Sequence, residues 1–216
     1  LAIFSILWYS KKIVTKKNPF KENDVEDFLF YGVLGAIIGG RLGYMFFYGT
    51  NQLLIDPLST VRVWEGGLSF HGGFLGVLTS FFVFSKKLKI NFFDLSDHIA
   101  LAFPIGLGLV RIGNFLGGEL IGRPTDLPWG MVFWSDSLQL VRHPSQLYQA
   151  FFEGLVLFVI LNWLSKKPRP RMFISGMFLT LYGSFRIFTE SFRMPDAHIG
   201  FDFLDIITRG QLLSIP

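Results

Sequence analysis

"IALAFPIGLGLVRIGNFLGGELIGR", residues 99–123, joins an apolar run to a polar one. Residues 99–110 carry no charge, whereas the next thirteen place four polar residues among four glycines: Arg111, Asn114, Glu119 and Arg123. An uncharged run of this kind is typical of a helix that crosses a membrane, and ionisable groups at such a helix are costly and usually functional. The segment therefore predicts a membrane protein with a polar site at one end of a span.

Composition supports the membrane interpretation. Half of the 216 residues are apolar and 17% are charged, against about 25% charged in soluble domains. A helical span needs roughly 20 residues. Six apolar segments are visible, of which the first is shorter than a span and the other five are about long enough: 1–10, 28–49, 66–85, 95–116, 145–165 and 172–190. We expect an all-α, polytopic membrane protein with about six transmembrane segments and a loop region on the outer side, folded as one domain over residues 1–216.

The absence of Cys excludes several kinds of site. A structural disulfide, a Cys–zinc site, an iron–sulfur cluster and a Cys nucleophile of the chain's own all need a residue that is missing. The four His residues at 71, 98, 143 and 198 show no metal-ligand spacing. We therefore expect no metal.

Positive charge predicts the orientation. All ten Lys fall in three short loops: Lys11, Lys12, Lys16, Lys17 and Lys21; Lys86, Lys87 and Lys89; and Lys166 and Lys167. With six segments crossing in turn, these loops share one face, which the positive-inside rule makes cytoplasmic. The sequence uses Arg alone within the spans and on the other side, and the planar guanidinium fork matches phosphate and carboxylate. These arginines predict an outward-facing anion site.

Two residues near the outer ends of predicted spans have more than one interpretation. Arg41, with Tyr44 on about the same helix face, fits either a side chain that snorkels beside an aromatic belt or a binder of a lipid head group. His71 precedes two glycines and suits proton transfer near neutral pH. It also fits a His at a helix N-terminus that satisfies local hydrogen bonds.

Two further motifs place polar residues near the same face. In RHPSQLY, residues 142–148, His143 is a candidate anion contact and Ser145 is predicted to cap the following helix. In YGSFRIFTESFR, residues 182–193, four polar residues share one helix face: Tyr182, Arg186, Glu190 and Arg193. This face fits either an intrahelical ion-pair ladder or a wall of the cavity that holds Arg111. Glu153, inside a predicted span, needs a partner or water.

Together these motifs resemble the prolipoprotein diacylglyceryl transferase family of bacterial inner-membrane enzymes. The family hallmark G-R-x-G-N-F-x-N-x-E-x-x-G-R stands here as VRIGNFLGGELIGR, with Val110 in place of the usual first Gly and Gly117 in place of the usual second Asn. The other motifs follow in the family's order: GGRLGY (39–44), GGLSFHGG (66–73), RHPSQLY (142–148) and YGSFRIFTESFRMPD (182–196). The family has sequence before the first segment and a last transmembrane helix after QLLSIP, so the resemblance predicts a chain trimmed at both ends.

The resemblance implies an activity and a location. Family members transfer the diacylglyceryl group of phosphatidylglycerol to the thiol of a lipobox cysteine in a prolipoprotein, forming a thioether and releasing glycerol phosphate. They use no cofactor and no nucleic acid. The implied location is the bacterial cytoplasmic (inner) membrane, crossed several times, with the active site toward the outer side.

Residue roles follow by matched position. The resemblance gives catalytic roles to His71, Arg111, Glu119 and Arg186. It gives substrate binding to Arg111, Asn114, Arg41, Tyr44, His143, Tyr182 and Glu190. His71 is the candidate base for the thiol proton, with Glu119 and the lipid phosphate as open alternatives. Two other interpretations have the same arginines bind an anion without catalysing a reaction. The protein would then be a transporter of an anionic lipid or solute, or a lipid-binding scaffold.

Overall fold

The computed structural model describes residues 1–14, 19–47, 49–194, 201–203 and 207–208. The loop lysines Lys16 and Lys17 lie outside the described residues. The chain divides into two compact units, one of residues 10–96 and one of residues 1–9 with 97–216.

The unit of residues 10–96 is built on two long helices. Helix α1 (Ala2–Lys12) ends in it, and α5 (Phe92–Leu116) begins in it. Between them lie α2 (Glu22–Phe47), α3 (Thr50–Ile55), two short 3₁₀ turns (Pro57–Val61 and Val63–Glu65) and α4 (Phe70–Leu88).

Close backbone approach holds α2 against α4. A Cβ atom added at Gly39 would lie 2.3 Å from the carbonyl oxygen of Gly72, and one at Gly76 would lie 2.0 Å from that of Gly35. Only glycine leaves room for such a contact, which is how small residues pack helices in membranes. The Ser69 amide donates to the Gly40 carbonyl oxygen at 2.8 Å, so the start of α4 is fixed beside the late part of α2.

The other unit is a helical bundle with a short hairpin. After α5 come β1 (Met131–Val132), β2 (Val141–Arg142), α6 (Ser145–Gln149), a π-helical segment (Ala150–Val156), α7 (Leu157–Leu164), α8 (Phe173–Glu190), β3 (Phe201–Phe203) and β4 (Ile207–Thr208). β1 pairs with β2, and β3 with β4, both antiparallel. The residues from Ser145 to Leu164 form one continuous helix.

Apolar side chains pack these helices against one another. Ala100, Leu157, Leu161 and Ile174 are buried together, with Phe178, Leu181 and Phe185 of α8 against them. The Tyr9 hydroxyl donates to the Asn162 side-chain oxygen at 2.6 Å and so attaches α1 to this bundle.

Three helices among the described residues are long and apolar enough to cross a membrane: Glu22–Phe47, Phe92–Leu116 and Ser145–Leu164. They correspond to three of the six predicted segments. The other three segments are helical as α1, α4 and α8, of 11, 19 and 18 residues. The prediction of a mostly helical protein with membrane-spanning helices is confirmed, and the number of six spans stays a prediction.

Candidate active site

A fully buried carboxylate lies between two arginines from different helices. Glu153 is 0% exposed, and its Oε1 accepts a hydrogen bond from the Thr189 hydroxyl at 2.9 Å. Its Oε2 lies 3.7 Å from Nε of Arg111 on α5, and its Oε1 lies 3.7 Å from Nη1 of Arg186 on α8. The sequence predicts that Glu153 needs a partner or water, and the structure places a pair of guanidinium groups beside it.

Two further ion pairs extend this charged cluster along the end of α8 and just beyond it. Arg186 Nη2 lies 2.9 Å from Glu190 Oε2, one helical turn further on. Arg193 donates from Nε to Glu190 Oε1 at 3.0 Å, and its Nη2 lies 2.9 Å from the same oxygen. The intrahelical ladder of Arg186, Glu190 and Arg193 is therefore present, and Glu153 lies 3.7 Å from both Arg186 and Arg111. A cavity wall at Arg111 stays a prediction.

The cluster carries more positive than negative charge. Its five ionisable side chains are three guanidinium groups and two carboxylates: Arg111, Arg186, Arg193, Glu153 and Glu190. The two separations of 3.7 Å at Glu153 are longer than hydrogen bonds. Arg111 and Arg186 are therefore attracted to the carboxylate but do not use their N–H donors in hydrogen bonds to it. Tyr182 also interacts electrostatically with Arg111 and Glu153. Such a buried group of donors suits an anion.

The backbone around Glu153 departs from a regular α-helix. Residues 150–156 form π-type turns, which occur often at functional sites. A Cβ atom at Gly154 would lie 2.7 Å from the Cα of Gly108, so the helix carrying Glu153 closely approaches α5. Gly108 precedes Arg111 by about one helical turn. The close glycine contact thus explains how the carboxylate reaches the α5 arginine.

Two buried glutamines on the same helix were missed from the sequence. Gln146 and Gln149 are both 0% exposed. Gln146 Nε2 donates to the Glu119 carbonyl oxygen at 2.5 Å. Neither amide atom of Gln149 has a hydrogen-bond partner among the residues that the structure describes. The spacing of Gln146, Gln149 and Glu153 at three and four residues could have revealed this polar face in an otherwise apolar segment.

The hallmark segment turns back on itself after α5. Asn114 Nδ2 donates to Glu119 Oε2 at 2.9 Å, which ties the end of α5 to the turn that follows it. Gly118 has φ +66° and permits the turn. At Gly122 a Cβ atom would lie 2.2 Å from the carbonyl oxygen of His143. Gly118 and Gly122 of the motif therefore serve the fold of the loop.

His143 lies against aromatic rings close to this turn. Its Nδ1 is 3.2 Å from the Tyr148 hydroxyl, and its ring packs edge-on against Phe192. Burial lowers the pKa of His143 from 6.5, so its imidazole is neutral at pH 7.

The predicted capping role of Ser145 is wrong. Helix α6 begins at Ser145 itself, after Pro144, and no side chain caps it. The Ser145 hydroxyl donates instead to the Leu120 carbonyl oxygen at 3.0 Å. Its hydrogen bond serves the loop rather than the helix end, a long-range contact that local sequence does not reveal.

In the unit of residues 10–96, Arg41 is buried rather than snorkelling. It is 3% exposed and donates to the carbonyl oxygens of Ser59, at 2.6 Å, and of Gly66. Its guanidinium carbon lies 5.9 Å from the centre of the Tyr44 ring. Arg41 therefore holds the loop between α3 and α4 by its backbone.

His71 stands in the first turn of α4 of that unit. The helix is capped by Ser69, whose hydroxyl oxygen accepts from the Gly72 amide at 3.3 Å. His71 is exposed and borders an open cavity of about 780 Å³ between α2 and α4 with mostly apolar walls. An accessible imidazole beside an apolar groove is suited to proton transfer.

The structure thus groups most of the predicted site residues. One charged cluster holds Arg111, Tyr182, Arg186 and Glu190. Asn114 and Glu119 are joined in the turn after α5, and His143 lies beside that turn. Arg41, Tyr44 and His71 belong to the other unit. Within the described ranges, no group of three or more His, Asp or Glu residues could hold a metal ion.

The apolar helices define a membrane protein, and a buried cluster in it gathers three arginines and two glutamates. The family model described as prolipoprotein diacylglyceryl transferase matches residues 1–216. The chain therefore belongs to the prolipoprotein diacylglyceryl transferase family, and it is a transferase.

Relatives from several bacteria are similar along most of their length. The phosphatidylglycerol–prolipoprotein diacylglyceryl transferase of Teredinibacter turnerae is 56% identical over 92% of this chain and 69% of its own length. The transferases of the same name from Pseudoalteromonas translucida and Acinetobacter baumannii are 49% and 48% identical, over 97% and 100% of this chain and 78% and 81% of their own lengths. None of these names describes a transporter.

Proposed function

We propose that the chain transfers the diacylglyceryl group of phosphatidylglycerol to the thiol of a lipobox cysteine in a prolipoprotein. The observation that carries this proposal is the buried cluster in which Arg111 and Arg186 flank Glu153. The relatives' names supply phosphatidylglycerol and prolipoprotein as the substrates. The lipobox cysteine enters through the family resemblance.

Charge balance supports a lipid phosphate as the occupant of the cluster. Three guanidinium groups and two carboxylates leave one positive charge among these five side chains. The phosphodiester of phosphatidylglycerol carries one negative charge, so binding makes the group neutral. Neutralisation matters because an uncompensated buried charge is costly.

The reaction develops charge where the arginines lie. The cysteine sulfur forms a bond to the terminal glycerol carbon of the diacylglyceryl group, and the bond from that carbon to the phosphate oxygen breaks. The electron pair goes to the phosphate oxygen, and the thiol proton goes to a base. Because the leaving glycerol phosphate gains negative charge, fixed guanidinium groups in a dry site stabilise the transition state more than the bound lipid. We assign this role to Arg111 and Arg186.

Thiol activation needs a proton acceptor, because an unperturbed thiol has a pKa of about 8.5 and the thiolate is the nucleophile. We assign this role to His71, which is exposed at the start of α4. Glu119 and the lipid phosphate are the other acceptors that the chemistry allows. A pH–rate profile distinguishes them: His71→Gln removes the acidic limb if His71 is the base, and a full rate across pH 6–9 would exclude it.

The remaining residues shape the lipid site. We propose that Asn114 and Glu119, joined by a hydrogen bond of 2.9 Å, border the head group and that Tyr182 and Glu190 form the opposite wall. Arg41, Tyr44 and His143 belong to the approach. Arg41 contributes to the approach by holding the loop between α3 and α4, whose carbonyl oxygens accept its hydrogen bonds.

Gln149 completes the proposed binding set. Its amide is fully buried and lacks a partner within the described part of the chain, and a buried amide without hydrogen bonds costs about 1–3 kcal/mol. An amide both donates and accepts, so it can serve a phosphate oxygen and a glycerol hydroxyl at once. We propose the head group as its partner.

The loop lysines support an orientation in the membrane, and the family resemblance supports the kind of membrane. We propose about six crossings of the bacterial inner membrane, with the three lysine-rich loops in the cytoplasm and the cluster toward the outer side. The family model matches through both compact units, so we propose that residues 1–216 act as one catalytic domain.

One experiment tests the function directly. The full protein in phosphatidylglycerol vesicles is incubated with a lipobox peptide, and the peptide mass is measured. We expect the peptide to gain one diacylglyceryl group, and a peptide with Ser in place of the lipobox Cys to gain none. An unchanged mass on the Cys peptide would overturn the proposal.

A further inference from the structure

The segment between α5 and α6 carries an apolar surface that has no part in the proposed function above. Eight large apolar side chains between residues 127 and 141 are exposed: Leu127, Trp129, Met131, Val132, Trp134, Leu138, Leu140 and Val141. Trp134 and Leu138 are 76% and 67% exposed. We call residues 127–142 the tryptophan hairpin. Many large apolar side chains exposed on one short segment are typical of an interaction site.

The charged side chains of the hairpin are buried and do not reach that surface. Its sequence contains two charged residues, Asp136 and Arg142, which are 5% and 4% exposed. Arg142 donates from Nε and Nη2 to the two Asp136 carboxylate oxygens, at 2.7 and 3.0 Å. Each charge is therefore neutralised by the other beneath an uncharged exterior.

The hairpin is also attached firmly to its support. Phe133 is buried, and its ring meets Phe115 near the end of α5 edge-on at 6.0 Å. The Ser135 hydroxyl donates to the Gly118 carbonyl oxygen, and the Trp129 indole donates to the Tyr148 hydroxyl at 2.8 Å. The apolar side chains stay exposed although the hairpin has a fixed structure, so they are available to an external partner.

The position of the hairpin points to the membrane as that partner. It connects two consecutive candidate membrane-spanning helices, Phe92–Leu116 and Ser145–Leu164. Both ends of the connection must then meet the same face of the bilayer. Tryptophan is enriched at membrane–water interfaces, where an apolar ring with one polar N–H suits the head-group layer.

We propose that the tryptophan hairpin lies in the interfacial layer of the bilayer, with Trp134 and Leu138 among the lipid head groups and upper acyl chains. The partner is a lipid surface rather than a protein. This inference does not depend on the proposed reaction, because immersion is measured without activity.

Site-directed spin labelling tests the immersion, since a chain without Cys allows single labelled positions. Trp134→Cys and Leu138→Cys are made in the full protein, labelled with a nitroxide and reconstituted into phosphatidylglycerol vesicles. Asp126→Cys is the matched control, because Asp126 is exposed on the same connection and is charged. Accessibility to oxygen reports lipid, and accessibility to a water-soluble nickel chelate reports solvent.

We expect labels at 134 and 138 to be at least 5-fold less accessible to the nickel chelate than the label at 126, and more accessible to oxygen. Equal nickel accessibility at all three positions would overturn the proposal. Protection at 134 and 138 that appears only after a lipobox peptide is added would also overturn it, in favour of a peptide-binding surface. Thermal unfolding of each labelled variant confirms that it is folded.

Discussion

Glu153 lies 3.7 Å from Arg111 and 3.7 Å from Arg186, although the three residues come from three different helices. The carboxylate is 0% exposed and belongs to a π-type turn. Since a single buried carboxylate sets the relative position of both arginines, it determines the geometry of the proposed phosphate site.

Glu153→Gln is therefore expected to damage both stability and activity. Removing one partner of a buried ion pair costs about 3–5 kcal/mol because the other charge is left uncompensated. We expect a free energy of unfolding lower by about 3 kcal/mol in detergent, and kcat/KM for the lipid lower by about 100-fold. Thr189→Val removes the hydroxyl's hydrogen bonds to Glu153 Oε1 and to the Arg186 carbonyl oxygen but no charge, so it is expected to lose less of both. A Gln variant with unchanged melting temperature and rate would contradict the role of Glu153.

The two arginines are expected to resist conservative replacement. Lys keeps the charge but loses the planar fork, so Arg111→Lys and Arg186→Lys should each lower kcat/KM by about 100-fold, the effect of losing one preorganised donor. Arg62→Lys is the control, because Arg62 pairs with Asp56 at 2.5 Å, outside the cluster. Steady-state kinetics on vesicles with varied phosphatidylglycerol content measure the effect. If Arg111→Lys kept full activity, bidentate phosphate binding by Arg111 would be excluded.

Gln149→Leu separates binding from stability. The substitution removes a buried amide that has no partner within the described residues, so the melting temperature should not fall. If the amide binds the head group, KM for phosphatidylglycerol should rise about 10-fold while KM for the peptide is unchanged, the equivalent of about 1.4 kcal/mol. In Gln146→Leu, by contrast, the bond to the Glu119 carbonyl is lost and the melting temperature should drop. An unchanged lipid KM in Gln149→Leu would show that Gln149 does not bind the lipid.

The sequence predicted the helices, and it offered the ion-pair ladder of residues 186–193 as one of two interpretations, because both depend on local periodicity. Arg186, Glu190 and Arg193 recur at helical spacing, and the structure places them in contact. The motif order identified the family, which the family model confirms.

Contacts between distant segments were harder to predict. The joining of Arg111 to Arg186 through Glu153 depends on the close approach of Gly108 and Gly154, which no local pattern reveals. Ser145 was assigned to the helix end because of its residue type, whereas its hydroxyl bonds to Leu120. The pairing of Asp136 with Arg142 also depends on the fold of the hairpin.

Gly122→Ala should destabilise the turn after α5. The new methyl group would lie 2.2 Å from the His143 carbonyl oxygen, a backbone atom that cannot rotate away. We expect the melting temperature to fall by about 5 °C or more and transfer activity to fall with it. Gly176→Ala is the matched control, because a Cβ atom there has open space on a helix and should keep or raise the melting temperature. Equal melting temperatures for the two variants would contradict the predicted clash.

The ion pair in the tryptophan hairpin should make stability depend on pH. Hydrogen bonds from Arg142 hold the pKa of Asp136 at about 2, below its ordinary value of 3.8. A carboxylate with a lowered folded-state pKa contributes stability fully above its unfolded pKa and loses it as the pH falls through the folded value. This contribution should therefore be complete above about pH 4 and disappear between about pH 4 and pH 2.

Asp136→Asn tests this dependence. At pH 7 the variant leaves the Arg142 charge buried without its counter-charge, so the melting temperature should be lower by about 5 °C. The wild-type melting temperature should then decrease more steeply than that of the variant as the pH falls from about 4 to about 2, because only the wild type loses the pair. Asp126→Asn, at an exposed position of the same connection, should follow the wild type. Parallel pH curves for the wild type and Asp136→Asn would show that the pair does not stabilise the hairpin.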